Sequence, residues 1–88
     1  MKGWIYSNSD VPYFEATFGK YALVIFEENY LAVIYADHSG KRAIHKELGE
    51  FRNLDEARNI LITEAISIAS EEYMEYLRAV YKLAGGEK

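Results

Sequence analysis

The hydrophobic period of this chain changes once, at residue 54, and that change limits the possible folds more than any other feature. Before it, apolar side chains alternate or run together in short segments bounded by turn residues, as in strands. After it they recur three or four positions apart, as on a helix. Tyr13–Phe18 puts Phe14, Ala16 and Phe18 on one side and Tyr13, Glu15 and Thr17 on the other, the pattern of a half-buried strand. Tyr21–Phe26 is apolar on both faces, as a central strand is. Glu27-Glu28-Asn29 reads as a tight hairpin, with Asn29 supplying the left-handed conformation such turns need. Residues 30–36 return as the next strand. Asp37-His38-Ser39-Gly40-Lys41 forms a second turn and residues 42–48 a further strand, Ile44 and Leu48 facing one way, His45 and Glu47 the other. A short strand over residues 3–7 precedes the set, separated by the turn-rich Asn8-Ser9-Asp10-Val11-Pro12. Gly19-Lys20 is either a turn or a bulge within one long strand.

The helical half opens on a capping box. Asn53 precedes Leu54-Asp55-Glu56, so an Asn oxygen and a Glu carboxylate stand where orphan backbone donors need them. Asp55 and Glu56 also suit the positive end of the helix dipole. Leu54, Ala57, Leu61, Ala65 and Ile68 form one apolar stripe; Tyr73, Tyr76, Leu77, Val80 and Ala84 form a second, rotated by roughly 100° from the first. An unbroken helix over residues 54–84 would be ~46 Å long. A break near Ser70 is therefore expected, with Ser70 capping a second helix that begins Glu71-Glu72 and stops at Gly85-Gly86. The alternative is one long helix whose distal half packs on a second subunit. The fold class is α+β: an antiparallel meander of three to five strands, then one or two C-terminal helices packed on one face, in a single domain over residues 1–88. At 88 residues and half hydrophobic, such a domain can bury a core without disulfides, and the chain has no cysteine.

Charge is placed unevenly. Residues 1–46 hold five acids and five bases, whereas residues 47–88 hold nine acids and five bases and so carry the whole net charge of −4. A phosphate-binding surface has the opposite sign. The acidic half reads as a solvated helix face or as a surface attractive to a basic partner, with Glu64, Glu71, Glu72 and Glu75 as its carboxylates; Glu64, Glu71 and Glu75 share one stripe of a continuous helix. Tyr73, Tyr76 and Tyr81 with Leu77 and Val80 are packing residues, or an interaction patch where nothing covers them. A secretory signal and a membrane span are not legible, and with the absent cysteines this leads to an expected cytoplasmic location.

Catalytic patterns are weak. His38, His45 and Asp37 are the only conceivable metal or acid–base cluster, and their spacing matches no ligand signature. No serine sits in a nucleophile elbow and the glycines form no phosphate cradle. The expectation is a protein without catalytic residues, metal or cofactor. Eight tyrosines leave one further reading open: Tyr6, Tyr13, Tyr21, Tyr30 and Tyr35 fall on strands, where aromatics stack nucleobases, and Lys20, Lys41, Arg42 and Lys46 supply nearby positive charge, with Lys41, Arg42 and Lys46 as the binding set. Tyrosine is also simply a good strand residue.

Residues 21–66 resemble the HicB-type antitoxin domain, a meander followed by a helix. The hairpin from Tyr21-Ala22-Leu23-Val24-Ile25-Phe26 through Glu27-Glu28-Asn29 to Tyr30-Leu31-Ala32-Val33 carries the likeness. So do Asp37 and Gly40 in the following turn and the helix opening Leu54-Asp55-Glu56-Ala57-Arg58 with Glu64-Ala65-Ile66. The family's turn prolines are missing. Leu48-Gly49-Glu50-Phe51 before that helix is also similar to AP2-like DNA-binding domains, which place basic residues on the sheet. The first resemblance implies a module that binds and inhibits a basic, nucleic-acid-acting protein such as a toxin or nuclease, either as an antitoxin or as a phage-type inhibitor of host defence. A homodimer is also expected, because the second helical stripe and the sheet tyrosines exceed what one small core can bury.

Overall fold

Five consecutive strands lie side by side in chain order, and two helices cross one face of the sheet they make. The computed structural model describes residues 2–72 and 74–85; the side chains of Glu75 and Tyr76 fall outside that description. The strands are β1 (Ile5–Ser7), β2 (Tyr13–Phe18), β3 (Tyr21–Phe26), β4 (Leu31–His38) and β5 (Lys41–Glu50), followed by α1 (Leu54–Glu72) and α2 (Met74–Leu83). Every pairing is antiparallel and the spatial order is β1-β2-β3-β4-β5. The chain is thus an α+β meander, as its change of period requires. No described helix is long and apolar enough to cross a membrane.

Turn chemistry sets the registers. Gly19-Lys20 turns the chain between β2 and β3, which pair from Phe18↔Tyr21 to Tyr13↔Phe26. Between β4 and β5 the turn shortens to Ser39-Gly40, with φ of 55° and 80°. Two positive φ values make the mirror-image hairpin turn whose twist matches that of the strands. In the Glu27–Asn29 turn, the left-handed residue is Tyr30, at φ 52°, not Asn29. Asn29 acts through its side chain instead: Oδ1 accepts the Leu31 amide at 3.3 Å and Nδ2 donates to Glu50 at 3.0 Å.

The core lies between the helices and one sheet face. Ala16, Phe18, Leu23, Ile25, Ala32, Ile34 and Ala36 supply the sheet side; Ala57, Leu61, Ala65, Ile68 and Ala69 supply α1. Leu61, Leu23 and Ile34 are fully buried. Asn53 caps α1 as its sequence predicts, Oδ1 accepting the Glu56 amide at 2.9 Å. The Glu56 carboxylate reaches back one residue further than in a standard capping box, to the Arg52 amide at 3.2 Å and the Arg52 guanidinium at 2.9 Å.

Further expectations need correction. Ser70 is not a cap: α1 continues through Glu72 and α2 begins at Met74, so the break falls two to three residues later. The buried pair Ile68 and Ala69 keeps the helix on the sheet past Ser70. The alternation on β5 also fails. Register shifts between Ala32/Val33 and Ile34/Tyr35 insert bulge residues, so Ile44 pairs with Tyr35 and Glu47 with Val33 on one face, while His45 packs edge-on against Tyr21 on the other. Leu48 joins the core periphery, opposite to Ile44.

Val80 and Leu83 bury the inner face of α2, whereas Ala84, expected in that stripe, is exposed. Gly3, at φ 83°, lies so close that a Cβ there would stand 2.5 Å from Leu83 Cδ2, which ties the residues before β1 to the end of α2. Arg58 donates to the Leu83 carbonyl at 3.2 Å and so closes the C-terminus of α2. Part of the apolar surplus behind the homodimer expectation is therefore absorbed within one chain.

Candidate functional site: the open face of the sheet

The pleat sends every second strand residue away from the helices, and the molecule measures 34 × 34 × 20 Å. Twenty ångströms holds one helix layer on one sheet and nothing more. Among the described residues no helix covers the second face, and its own side chains are its only cover. Its rows run Ile5, Glu15, Val24, Val33, Glu47 and, beside them, Ser7, Tyr13, Phe26, Leu31, Glu50. Thr17, Ala22, Tyr35, Ile44 and the pair Asp37↔Arg42 complete it.

Two physical features set this face apart. Val24 and Val33 are each only 2% exposed although they lie outside the main core. Their cover comes from the same face: Tyr13, Phe26, Tyr35 and Arg42 surround Val24 in a concavity of about 270 Å³. Tyr13 and Phe26 meet with ring centroids 6.2 Å apart. Arg42 crosses the face from β5, its guanidinium 5.8 Å from the Tyr35 ring centroid, and donates to both Glu15 oxygens at 3.2 and 3.4 Å. The bond to Glu15 raises the Arg42 pKa above its ordinary value, so this charge is permanent. Beyond the cup, Ile44 and Ile5 stand 60% and 73% exposed, too much for residues that only pack.

The strand residues of this face carry four carboxylates, Glu15, Asp37, Glu47 and Glu50, against one guanidinium, Arg42. Its β5 edge is acidic through Glu47 and Glu50, its centre is apolar and aromatic, and Lys20 lies with Asp37 and Arg42 at one end.

The residues predicted as partner contacts are scattered. Glu64 is paired with Lys46 at 2.9 Å, and the Glu72 carboxylate accepts a hydrogen bond from the Tyr21 hydroxyl. Both carboxylates thus hold the helix to the sheet. Glu71 is exposed. Tyr73 and the side chains of Glu75 and Tyr76 lie outside the described residues. Tyr81 is half exposed beside Met74 and Leu77, over a groove of about 360 Å³ on the outer side of α2. Of the alternative nucleic-acid set, Arg42 and Lys46 are ion-paired on opposite faces and Lys41 is exposed at the hairpin, so the three do not form one basic stripe. The sheet tyrosines separate too: Tyr13 and Tyr35 face the open side, Tyr21 is buried, and Tyr30 lies in a turn packed on the core. No group of three or more His, Asp or Glu among the described residues is arranged to hold a metal ion.

Sequence reasoning missed this face as a unit. The signal was present in Tyr13, Glu15, Val24, Phe26, Val33 and Tyr35, which strict alternation puts on one side; without the strand order their adjacency was not visible. Compared with protein-family models, curated proteins and solved structures, the chain matches none of them.

Proposed function

We propose that this chain is a protein-interaction module without catalytic activity, and that the open sheet face is where it holds its partner. One observation carries the reading: an apolar and aromatic surface, uncovered by the described helices, carries four carboxylates on its strands against one guanidinium. Exposed apolar patches with polar rims mark binding surfaces. Acidic charge on the face selects a partner of the opposite sign and speeds the encounter with it. The partner is therefore a basic protein. A nucleic-acid-acting toxin or nuclease, inhibited by occlusion of its phosphate-binding surface, is the kind that the antitoxin-like resemblance implies.

Aromatic rings on a sheet also suit single-stranded nucleic acid, but four carboxylates on the face of Tyr13 and Tyr35 repel phosphate. Two measurements test the reading. In a gel shift with short single- and double-stranded DNA and RNA at ~50 mM salt, no shift is expected at ~10 μM protein. In affinity capture from the cells that make this protein, a basic protein retained by the wild type should be lost with Ile44→Lys, at an unchanged melting temperature, and kept with Ile60→Lys on α1. A salt-sensitive gel shift abolished by Arg42→Ala, or capture insensitive to Ile44→Lys, overturns it.

A further inference from the structure

One wall of the cup on the open face is a cation, the protein's own Arg42. Tyr13, Phe26 and Tyr35 supply three aromatic rings around Val24, and Glu15, the cross-strand neighbour of Val24, supplies a carboxylate. A planar guanidinium is suited to both at once: its face stacks on a ring while its edge gives two parallel hydrogen bonds to a carboxylate. Arg42 makes both bonds to Glu15, and its guanidinium lies 5.8 Å from the Tyr35 ring centroid, within cation–π reach though not stacked on the ring. Its side chain nevertheless remains 48% exposed, and the pair lies at the surface, where an ion pair contributes little. The contact is held loosely enough to be exchanged.

We propose that the cup of Tyr13, Phe26, Tyr35 and Glu15 is a binding site for an arginine side chain of the partner protein, and that Arg42 occupies it in the free molecule as an internal placeholder. The inference rests on the open face being the partner surface, and it names the chemistry recognised there. On binding, the incoming guanidinium takes the Tyr35 face and the Glu15 oxygens, while Arg42 swings toward Asp37, its cross-strand neighbour on β4. No charge is stranded, because Asp37 receives the cation that Glu15 releases. The placeholder also keeps Val24 and Val33 covered until the partner arrives. Its cost is affinity: a site filled by its own side chain binds more weakly, in proportion to the fraction of time it stands free. Lysine fits less well, since a compact ammonium lacks the flat fork that reaches ring and carboxylate together.

The probe is ethylguanidinium chloride, titrated against ethylammonium chloride and sodium chloride at equal ionic strength, with the ring resonances of Tyr13, Phe26 and Tyr35 followed by NMR. Arg42→Met keeps an apolar stem over Val24 and removes the placeholder. In that variant the Tyr35 and Tyr13 rings should shift saturably with ethylguanidinium, about tenfold more tightly than in the wild type, and hardly at all with the two control salts. Adding Glu15→Gln should abolish the response. Equal responses to all three salts, or equal affinity in wild type and Arg42→Met, overturn the proposal. Should Arg42→Met fail to fold, the wild type alone decides: ethylguanidinium must displace Arg42 and shift Tyr35 where ethylammonium does not, and its failure to do so refutes the placeholder. A chain that sediments as a dimer and reverts to 10.1 kDa in Arg42→Met would give the cup to a second copy and overturn the assignment to a foreign partner. If the probe fails while Ile44→Lys still abolishes capture of a basic protein, the open face stands as the interface and only the arginine site falls.

Discussion

At Asn53 one side-chain oxygen decides where a helix begins. It accepts the Glu56 amide at 2.9 Å, which satisfies one of the donors a helix leaves orphaned at its start. Asn53→Ala should cost about 1 kcal/mol, read as a fall in the denaturation midpoint with an unchanged slope. Glu56 adds a pH dependence. Its side-chain bond to Arg52, then the bond it accepts from the Arg52 amide, hold its pKa below the ordinary carboxylate value of 4.5. The folded pKa is depressed, so the stabilisation is complete above the ordinary value and is lost as pH falls through the depressed one. Melting temperature followed from neutral to acid pH should therefore decline less steeply in Glu56→Gln than in the wild type. Both residues were legible in the sequence because capping chemistry is local: it needs a spacing of three and no knowledge of the fold. The Tyr21–Glu72 contact was not legible, since nothing in either residue announces a partner fifty-one positions away.

Elements were legible where a period could be counted and lost where packing broke it. β2 and β3 kept their alternation, and a central strand apolar on both sides became one whose second side is the open face. β5 defeated the same reasoning, because each inserted residue reverses all the side chains beyond it, and a bulge has no marker in Ala43-Ile44-His45-Lys46. The helix break shows the opposite error: Ser70 has a capping residue's chemistry, but Ile68 and Ala69 beside it are buried and carry the helix onward. Ser70→Ala should then change stability by less than about 0.5 kcal/mol, where a cap would lose about 1. Leu61→Ala, on the same helix and fully buried, should cost about 2–5 kcal/mol by opening a cavity against the sheet. Chemical denaturation of the two variants side by side checks both figures.

For the whole molecule, charge was legible as a sum and illegible as a surface. Nine acids in the second half suggested an acidic helix face, yet Glu64 and Glu72 turn inward to Lys46 and Tyr21, and the uncovered acidic face is on the sheet. Only the strand order could show that, because it sets carboxylates from β2, β4 and β5 on one face with an apolar centre. Ile44→Lys should leave the melting temperature within about 4 °C, since a surface change away from the core shifts stability by about 0.5 kcal/mol or less; a larger fall would mean the open face supports the fold rather than a partner. The two bulges of β5 have a consequence at this scale as well. β5 is the outermost strand for ten residues, and the backbone groups along its free margin have no sixth strand to meet. A flat margin of that length is a template on which another chain can crystallise into a fibre. Two kinks and the charges of Lys41, Arg42, Lys46 and Glu47 spoil its repeat, so a strand from a neighbour finds no register to hold. The irregularity that scrambled the reading of β5 thus also stands against polymerisation edge to edge.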